Sequence, residues 1–338
     1  MTYSLGIIGH GFAGQLHREV AEEKDSPFHV AVLCDSNADN LLKVKDNYHC
    51  VTKIENTIAP DLDAIILATP TKLHLEHIKE IANLQRKKGS RGFCLLLEKP
   101  MGVNANEAEE IETILKAAHI RFMVGLTGRY HPEFVAAYDS FRKGEIGVLT
   151  GMQERIHFGI PKFPMQYVRK AHSGRGIVLE NGIHTFDRVN FFGDRYVGSI
   201  IRVDGAEMGN SNLNGECEDY AFGTLVSHMG LRVPFSLRWT RHEEEDYVFQ
   251  ITGTEGRIAV HGFRSCEITQ GKTTRTLYEH NTGTSLRDRH KPGFAAEQIA
   301  FADFISGTDP TLHCSDAKEA QKVVHLFYKS AVNKVKYV

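Results

Sequence analysis

LGIIGHGFAG, residues 5–14, decides how this chain begins to fold. An apolar run enters a turn with glycines at 9, 11 and 14, and helical patterning starts at about residue 13. A strand that feeds a helix through G-x-G-x-x-G has the local geometry that receives a dinucleotide pyrophosphate. Gly9 permits the tight turn, Gly11 lets the backbone approach the phosphates, and Gly14 lets the helix pack closely on the strand. Phe12 and Ala13, between the last two glycines, are assigned to the cofactor contact with them. The helix N-terminus adds unpaired amides and the positive end of its dipole.

Outward from this turn, HVAVLCD (29–35) ends in Asp35, 21 residues beyond Gly14. An acidic residue there accepts hydrogen bonds from the adenosine ribose and repels a 2′-phosphate. Ser36 and Asn37 follow without an adjacent arginine, so NAD is the expected cofactor and NADP is disfavoured. A helix over 37–46, DAIILAT (63–69), a helix over 72–86, FCLLLEKP (93–100), a helix over 106–119 and RFMVGL (121–126) complete the first half. Helices interleaved with continuous apolar runs predict βαβ units on a doubly wound parallel sheet buried on both faces.

Ligands of such sheets lie outside the carboxyl ends of the strands. ATPTKLH (68–74) places Thr69, Pro70 and His74 there, and EKP (98–100) places Glu98 and Lys99 there. The proline after Lys99 restricts that lysine to extended backbone. Its charge favours an alkoxide on a nearby carbinol, and its amine can relay a proton.

The second half has another texture. After a helix near 132–143, strand-like segments at 147–158, 199–208 and from about 219 to 279 are joined by short turns such as Met229-Gly230. They predict an open, mostly antiparallel sheet in an α+β domain. Helices over about 294–306 and 316–333 close the chain. Irregular polar sequence at 159–175 and 281–292 reads as site-building loops. The expected division is a dinucleotide domain over 1–127 and a substrate and oligomerisation domain over 128–338.

LENGIHTFD (179–187) is the second chemical motif. On a helix, Glu180, His184 and Asp187 would share one face. Histidine's ordinary pKa of about 6.5 suits a general base, and a carboxylate on its other ring nitrogen would fix the tautomer. Asp187 is expected to pair with Arg188, Arg155 or backbone.

Composition narrows the alternatives. A formal net charge of −2 and a pI of about 6.8 give no field to recruit nucleic acid or an anionic membrane. Six scattered cysteines fit a reducing compartment, and no signal-like leader or run of about 20 apolar residues is found, so a cytoplasmic protein is expected. The spacing of His74, His77 and Glu80 lacks further ligands, and no metal is expected.

GHGFAG, Asp35, ATPTKLH, LLLEKP and LENGIHTFD, in that order, resemble the Gfo/Idh/MocA oxidoreductase family, which includes glucose–fructose oxidoreductase and inositol dehydrogenase. VGLTGRYHP (124–132) and ITGTEGRIAV (251–260) extend the resemblance over most of the chain. It implies a Rossmann domain, a second domain whose open sheet forms homodimers or homotetramers, a tightly held nicotinamide cofactor and a small polyhydroxylated substrate. By motif position it implies that Lys99 lies near the reacting hydroxyl and that His184 is the acid/base, with Thr69, Pro70 and His74 under the nicotinamide. Arg129 and Tyr130 match substrate-side positions less closely. His157, Tyr167, Arg169 and His172, in or near the irregular stretch, are further substrate candidates. Three departures stand out: Glu180 where the family has aspartate, Arg175 within a glycine run, and a longer segment at 85–93. The leading reading is hydride transfer at a carbinol of a sugar or inositol. An NAD-dependent glycosidase that oxidises transiently and a non-catalytic NAD-dependent sensor are the alternatives.

Overall fold

The computed structural model describes residues 2–58, 61–88, 92–159, 168–169, 176–193, 198–210, 213, 215–242, 245–280, 285–308 and 317–333. The chain forms two compact units. One comprises Met1–Gly102, Asn106–Tyr130 and Ser285–Lys318; the other comprises Val103–Ala105, His131–Thr284 and Glu319–Val338.

In the first unit β1 (Tyr3–Ile8), α1 (Phe12–Ala21), β2 (Phe28–Cys34), β3 (Cys50–Val51) and β4 (Ala64–Leu67) come first. They are followed by α2 (His74–Lys88), β5 (Cys94–Glu98), α3 (Ala105–Ala117) and β6 (Arg121–Gly125). The six strands lie in the order β3-β2-β1-β4-β5-β6, all parallel. Every residue of β4 and β5 is buried, as expected of strands covered on both faces. Strand order reverses between β1 and β4, the point where a doubly wound sheet opens a crevice at its carboxyl edge. The helix expected over 37–46 is only a 3₁₀ turn, Ala38–Leu41, begun by Asn37, whose side chain accepts from Asp39 N.

In the second unit lie α4 (Pro132–Arg142), β7 (Leu149–Gly159), α5 (Ile183–Gly193), β8 (Ile200–Gly209), β9 (Tyr220–Ser227) and β10 (Arg232–Thr240). β11 (Asp246–Gly253), β12 (Arg257–His261), β13 (Ser265–Gln270) and β14 (Thr273–Glu279) follow. The chain then gives α6 (Leu286–Ser306) to the first unit, before α7 (Ala317–Ser330) and β15 (Val332–Asn333). The second sheet runs β14-β13-β12-β11-β7-β10-β9-β8-β15 and is antiparallel except at β7–β10 and β8–β15. Alternation sorts its faces. Met152, Glu154 and Ile156 of β7 and Val233, Phe235, Leu237 and Trp239 of β10 are buried. Gln153, Arg155, Arg232 and Arg238 between them are exposed. The buried side meets α5 through Phe186–Phe235 and α7 through Phe235–Phe327.

Two expectations are corrected at α6. Its first turns lie inside the stretch 281–292 that reads as a loop, because Pro292 looks like a breaker in sequence. The helix starts six residues earlier, with Ser285 capping it by accepting from Asp288 N at 3.1 Å. Arg287 and Lys291 both bind Glu19 on α1, and these ties offset the backbone hydrogen bond that proline forfeits. Phe294 packs with Leu16 and Val20 of α1. That packing places α6 with the dinucleotide half and not, as a boundary at 127/128 would have it, with the second.

Candidate functional site

The glycine turn is built by contacts a side chain would destroy. Gly9 has φ +93°, and a Cβ on it would lie 2.6 Å from Ala68 O. A Cβ on Gly14 would lie 1.9 Å from Gly9 O. Around Gly11 the same construction meets nothing within 4 Å. The first and third glycines therefore close the chain on itself, while the second leaves an open side at the N-cap of α1. Phe12 is 46% exposed beside it, and Ala13 packs on the Leu16, Val20 and Phe294 cluster.

Asp35 projects from the end of β2 toward this turn. Its carboxylate accepts from His10 N at 2.7 Å, Asn37 N at 2.8 Å and Asn40 Nδ2 at 3.1 Å. His10 joins the same patch, with Nδ1 2.8 Å from Asn40 O and Nε2 accepting from Arg18 Nε at 3.2 Å. An anion acceptor for a ribose beside an open, amide-lined helix end fits a dinucleotide. Sequence reasoning missed His10, whose role depends on residues 8 and 30 positions away.

At the ends of β4 and β5, His74 is fully buried and clasps two loops. Its Nε2 lies 2.8 Å from Thr69 O and its Nδ1 3.3 Å from Met101 O. Burial holds its pKa below the ordinary value. Thr69 Oγ1 bonds His77 Nδ1 at 3.0 Å, and Pro70 leads into a 3₁₀ turn. Glu98 turns inward: Oε1 lies 2.9 Å from His17 Nε2, and Oε2 accepts from Lys99 N at 3.0 Å. Lys99 itself is half-buried, and Arg129 is buried.

The stretch 179–187 is helical, with a twist that sequence does not show. Val178–Gly182 forms one π-turn, which runs directly into α5. Single π-turns are rare and gather at functional sites. Three contacts hold it. Glu218 Oε1 accepts from Gly176 N at 3.1 Å and Val178 N at 3.4 Å, and takes the hydroxyl of Tyr328. Trp239 Nε1 donates to Asn181 Oδ1 at 2.9 Å. Gly182 admits Leu237, whose Cδ1 would be 3.0 Å from a Cβ there. Further along, Arg188 is buried in an ion pair with Glu154. Glu180 and His184 remain partly exposed, but Asp187 is only 2% exposed. The polar stripe expected over 180, 184 and 187 therefore ends at His184, and Arg155 is taken by Asp246.

Of the remaining candidates, His157 does not face this helix. His157 sits on the face of β7 opposite Glu154, bonded to Ser236 Oγ at 2.8 Å, and α5 covers the Glu154 face. Arg169 is exposed. Tyr167, His172 and Arg175 lie outside the described residues. Nothing in the sequence points to the parts that Trp239, Glu218 and Tyr328 play here. No local spacing ties those three to residue 180, and only the folded sheet brings them together.

Residues 3–126 match the oxidoreductase family with an NAD-binding Rossmann fold, and residues 134–259 match the GFO/IDH/MocA C-terminal domain. The rhizopine catabolism protein MocA of Rhizobium meliloti is 27% identical over 195 residues, 56% of either chain. Inositol 2-dehydrogenase of Rhizobium meliloti (strain 1021) is 29% identical over 197 residues, 56% of this chain and 55% of that one. The chain thus matches little more than half the length of these two relatives. The fold is shared with an oxidoreductase from Agrobacterium radiobacter in complex with NAD+, L-tartaric acid and magnesium, at TM-score 0.81 and 19% identity over 98% of this chain and 96% of that one. The chain belongs to the Gfo/Idh/MocA oxidoreductase family, an NAD-binding Rossmann domain joined to that family's C-terminal domain.

Proposed function

We propose that the chain transfers hydride between a nicotinamide cofactor and a secondary carbinol of a sugar, an inositol or a sugar derivative. The observation that carries this reading is the helix at 178–193. Its buried side is fixed by Glu218, Trp239 and Glu154, while Glu180 and His184, four positions apart, are each partly exposed. When bound, NAD supplies the hydride acceptor. The protein's task is then the proton on the carbinol oxygen. His184 accepts it, and Glu180 orients the imidazole and favours its protonated form. Lys99 favours negative charge on the same oxygen. Asp35 takes the ribose hydroxyls, and the amides beyond Gly11 take the phosphates.

The rest of the proposal concerns surroundings. The open face of the second sheet, where Phe222 is exposed, is the surface for a homodimer or homotetramer. The protein works in the cytoplasm on small molecules; among the described residues no helix is long and apolar enough to cross a membrane.

The test is NADH absorbance with purified protein against inositols, aldoses, sugar acids and aminosugars, with NADP run in parallel. Signal growing with one substrate and NAD supports the reading. No signal across the panel, with NAD binding measured by calorimetry, rejects a dehydrogenase of these substrates.

A further inference from the structure

Behind the end of β5 lies a polar cluster that the proposed chemistry does not use. His17 of α1, Glu98 of β5 and Glu297 of α6 are all buried, and one nitrogen or oxygen from each lies within 4.8 Å of the others. Gln298 Nε2 donates to His17 O at 2.8 Å and lies 3.4 Å from His17 Nδ1. That donor assigns Nδ1 as the acceptor, so His17 Nε2–H donates to Glu98 Oε1. The other Glu98 oxygen holds the backbone N–H of Lys99. Glu297 Oε2 accepts from Thr127 Oγ1 at 3.2 Å, and its Oε1 has no partner among the described residues.

Two carboxyls this close in a closed interior do not both ionise. Glu98 receives two N–H donors, and Glu297 receives one hydroxyl. Burial first, and then the neighbouring Glu98, push the Glu297 acid well above the ordinary carboxyl range. The proton therefore resides on Glu297.

We propose that His17, Glu98 and Glu297 form a buried one-proton clasp that positions Lys99 through its backbone. They are positioning residues: His17 of α1 holds Glu98, the last residue of β5, Gln298 of α6 holds His17, Glu297 of α6 stands within 4.8 Å of both, and the residue after Glu98 is the lysine. The inference rests on the role given to Lys99 above.

Acetic anhydride is the probe, with the full chain and mass spectrometry reading acetylation at each lysine. Glu297→Gln keeps a neutral group of the same reach and leaves the Lys99 rate unchanged. Glu297→Ala frees the strand end, and Lys99 reacts about tenfold faster while the other lysines keep their rates. An unchanged Lys99 rate in Glu297→Ala overturns the clasp, as does equal damage in Glu297→Gln. A general rise over all lysines means plain unfolding and also overturns it. Infrared spectra give a reading on the unaltered protein, should the alanine variant fail to fold. A carboxylic-acid C=O band at neutral pH that Glu297→Gln removes supports the clasp, and its absence from wild type overturns it. One equivalent of metal in freshly purified protein overturns it too, since a cation would then occupy the proton's place. NAD protection of Lys99 in wild type is read separately. Its failure counts against the function proposed above and leaves the acetylation comparison among Glu297 variants standing.

Discussion

At the scale of single residues, neighbouring glycines separate two roles cleanly. Gly11→Ala adds a methyl that meets no protein atom, so its thermal stability should stay within about 0.5 kcal/mol of wild type. Its NAD affinity should fall, because that methyl enters the space left for phosphate. Gly14→Ala drives a methyl onto Gly9 O and should lose both stability and NAD binding. Equal melting curves and equal NAD affinities for the two variants would refute this division. His184→Ala should lower kcat by roughly 10²–10⁴ with NAD binding intact, since the cofactor turn belongs to the other unit. Glu180→Gln should cost less; an equal or greater loss would make the glutamate the base. The glycine roles were legible because each acts within a few residues of its own turn. The roles of His10 and His17 were not, because each ring is satisfied by distant segments.

At the scale of elements, the π-turn depends on partners from the sheet. Trp239→Phe keeps the buried ring but removes the N–H on Asn181, a net loss of about 1 kcal/mol for a hydrogen bond. It should lower kcat through the position of His184 while leaving NAD affinity unchanged, as steady-state kinetics and calorimetry would show. Unchanged kcat with the full stability loss would make the indole a packing group only. Sequence raised 179–187 as a helix only conditionally, and five residues cannot distinguish a π-turn from an α-turn by pattern. Most strands of both sheets were legible from apolar runs and alternation; the two-residue β3 and β15, the latter inside the helix expected over 316–333, were not. The start of α6 was not, because Pro292 masks a helix whose first turns are held by Glu19, far away in sequence.

At the scale of the whole molecule, buried titratable groups shape stability against pH. Burial lowers the pKa of His74, His131 and His157. The unfolded chain then binds protons near pH 6.5 that the native state refuses, so this contribution is complete above that value and lost on acidification. Glu297 acts in the opposite sense. Its raised pKa gives a contribution complete below about pH 4.5 and lost as pH rises through the native value. The contribution of the three histidines should therefore fall from pH 7 to pH 5, and Glu297→Gln should exceed wild type in melting temperature on the alkaline side. Parallel curves for variant and wild type would sink the second claim. Two halves were visible in the sequence; the return of 285–318 to the first was not, because that pairing is made across some 270 residues, between Arg287 and Glu19. This return has a consequence for synthesis. A ribosome releases the chain from its N-terminus, so the six strands of the cofactor half emerge early but without α6. Until Ser306 has left the exit tunnel, Leu16 and Val20 lack Phe294 and Glu98 lacks its companion acid. The half that is written first is completed late, and a stall during translation of the second sheet would leave it open to chaperones and proteases.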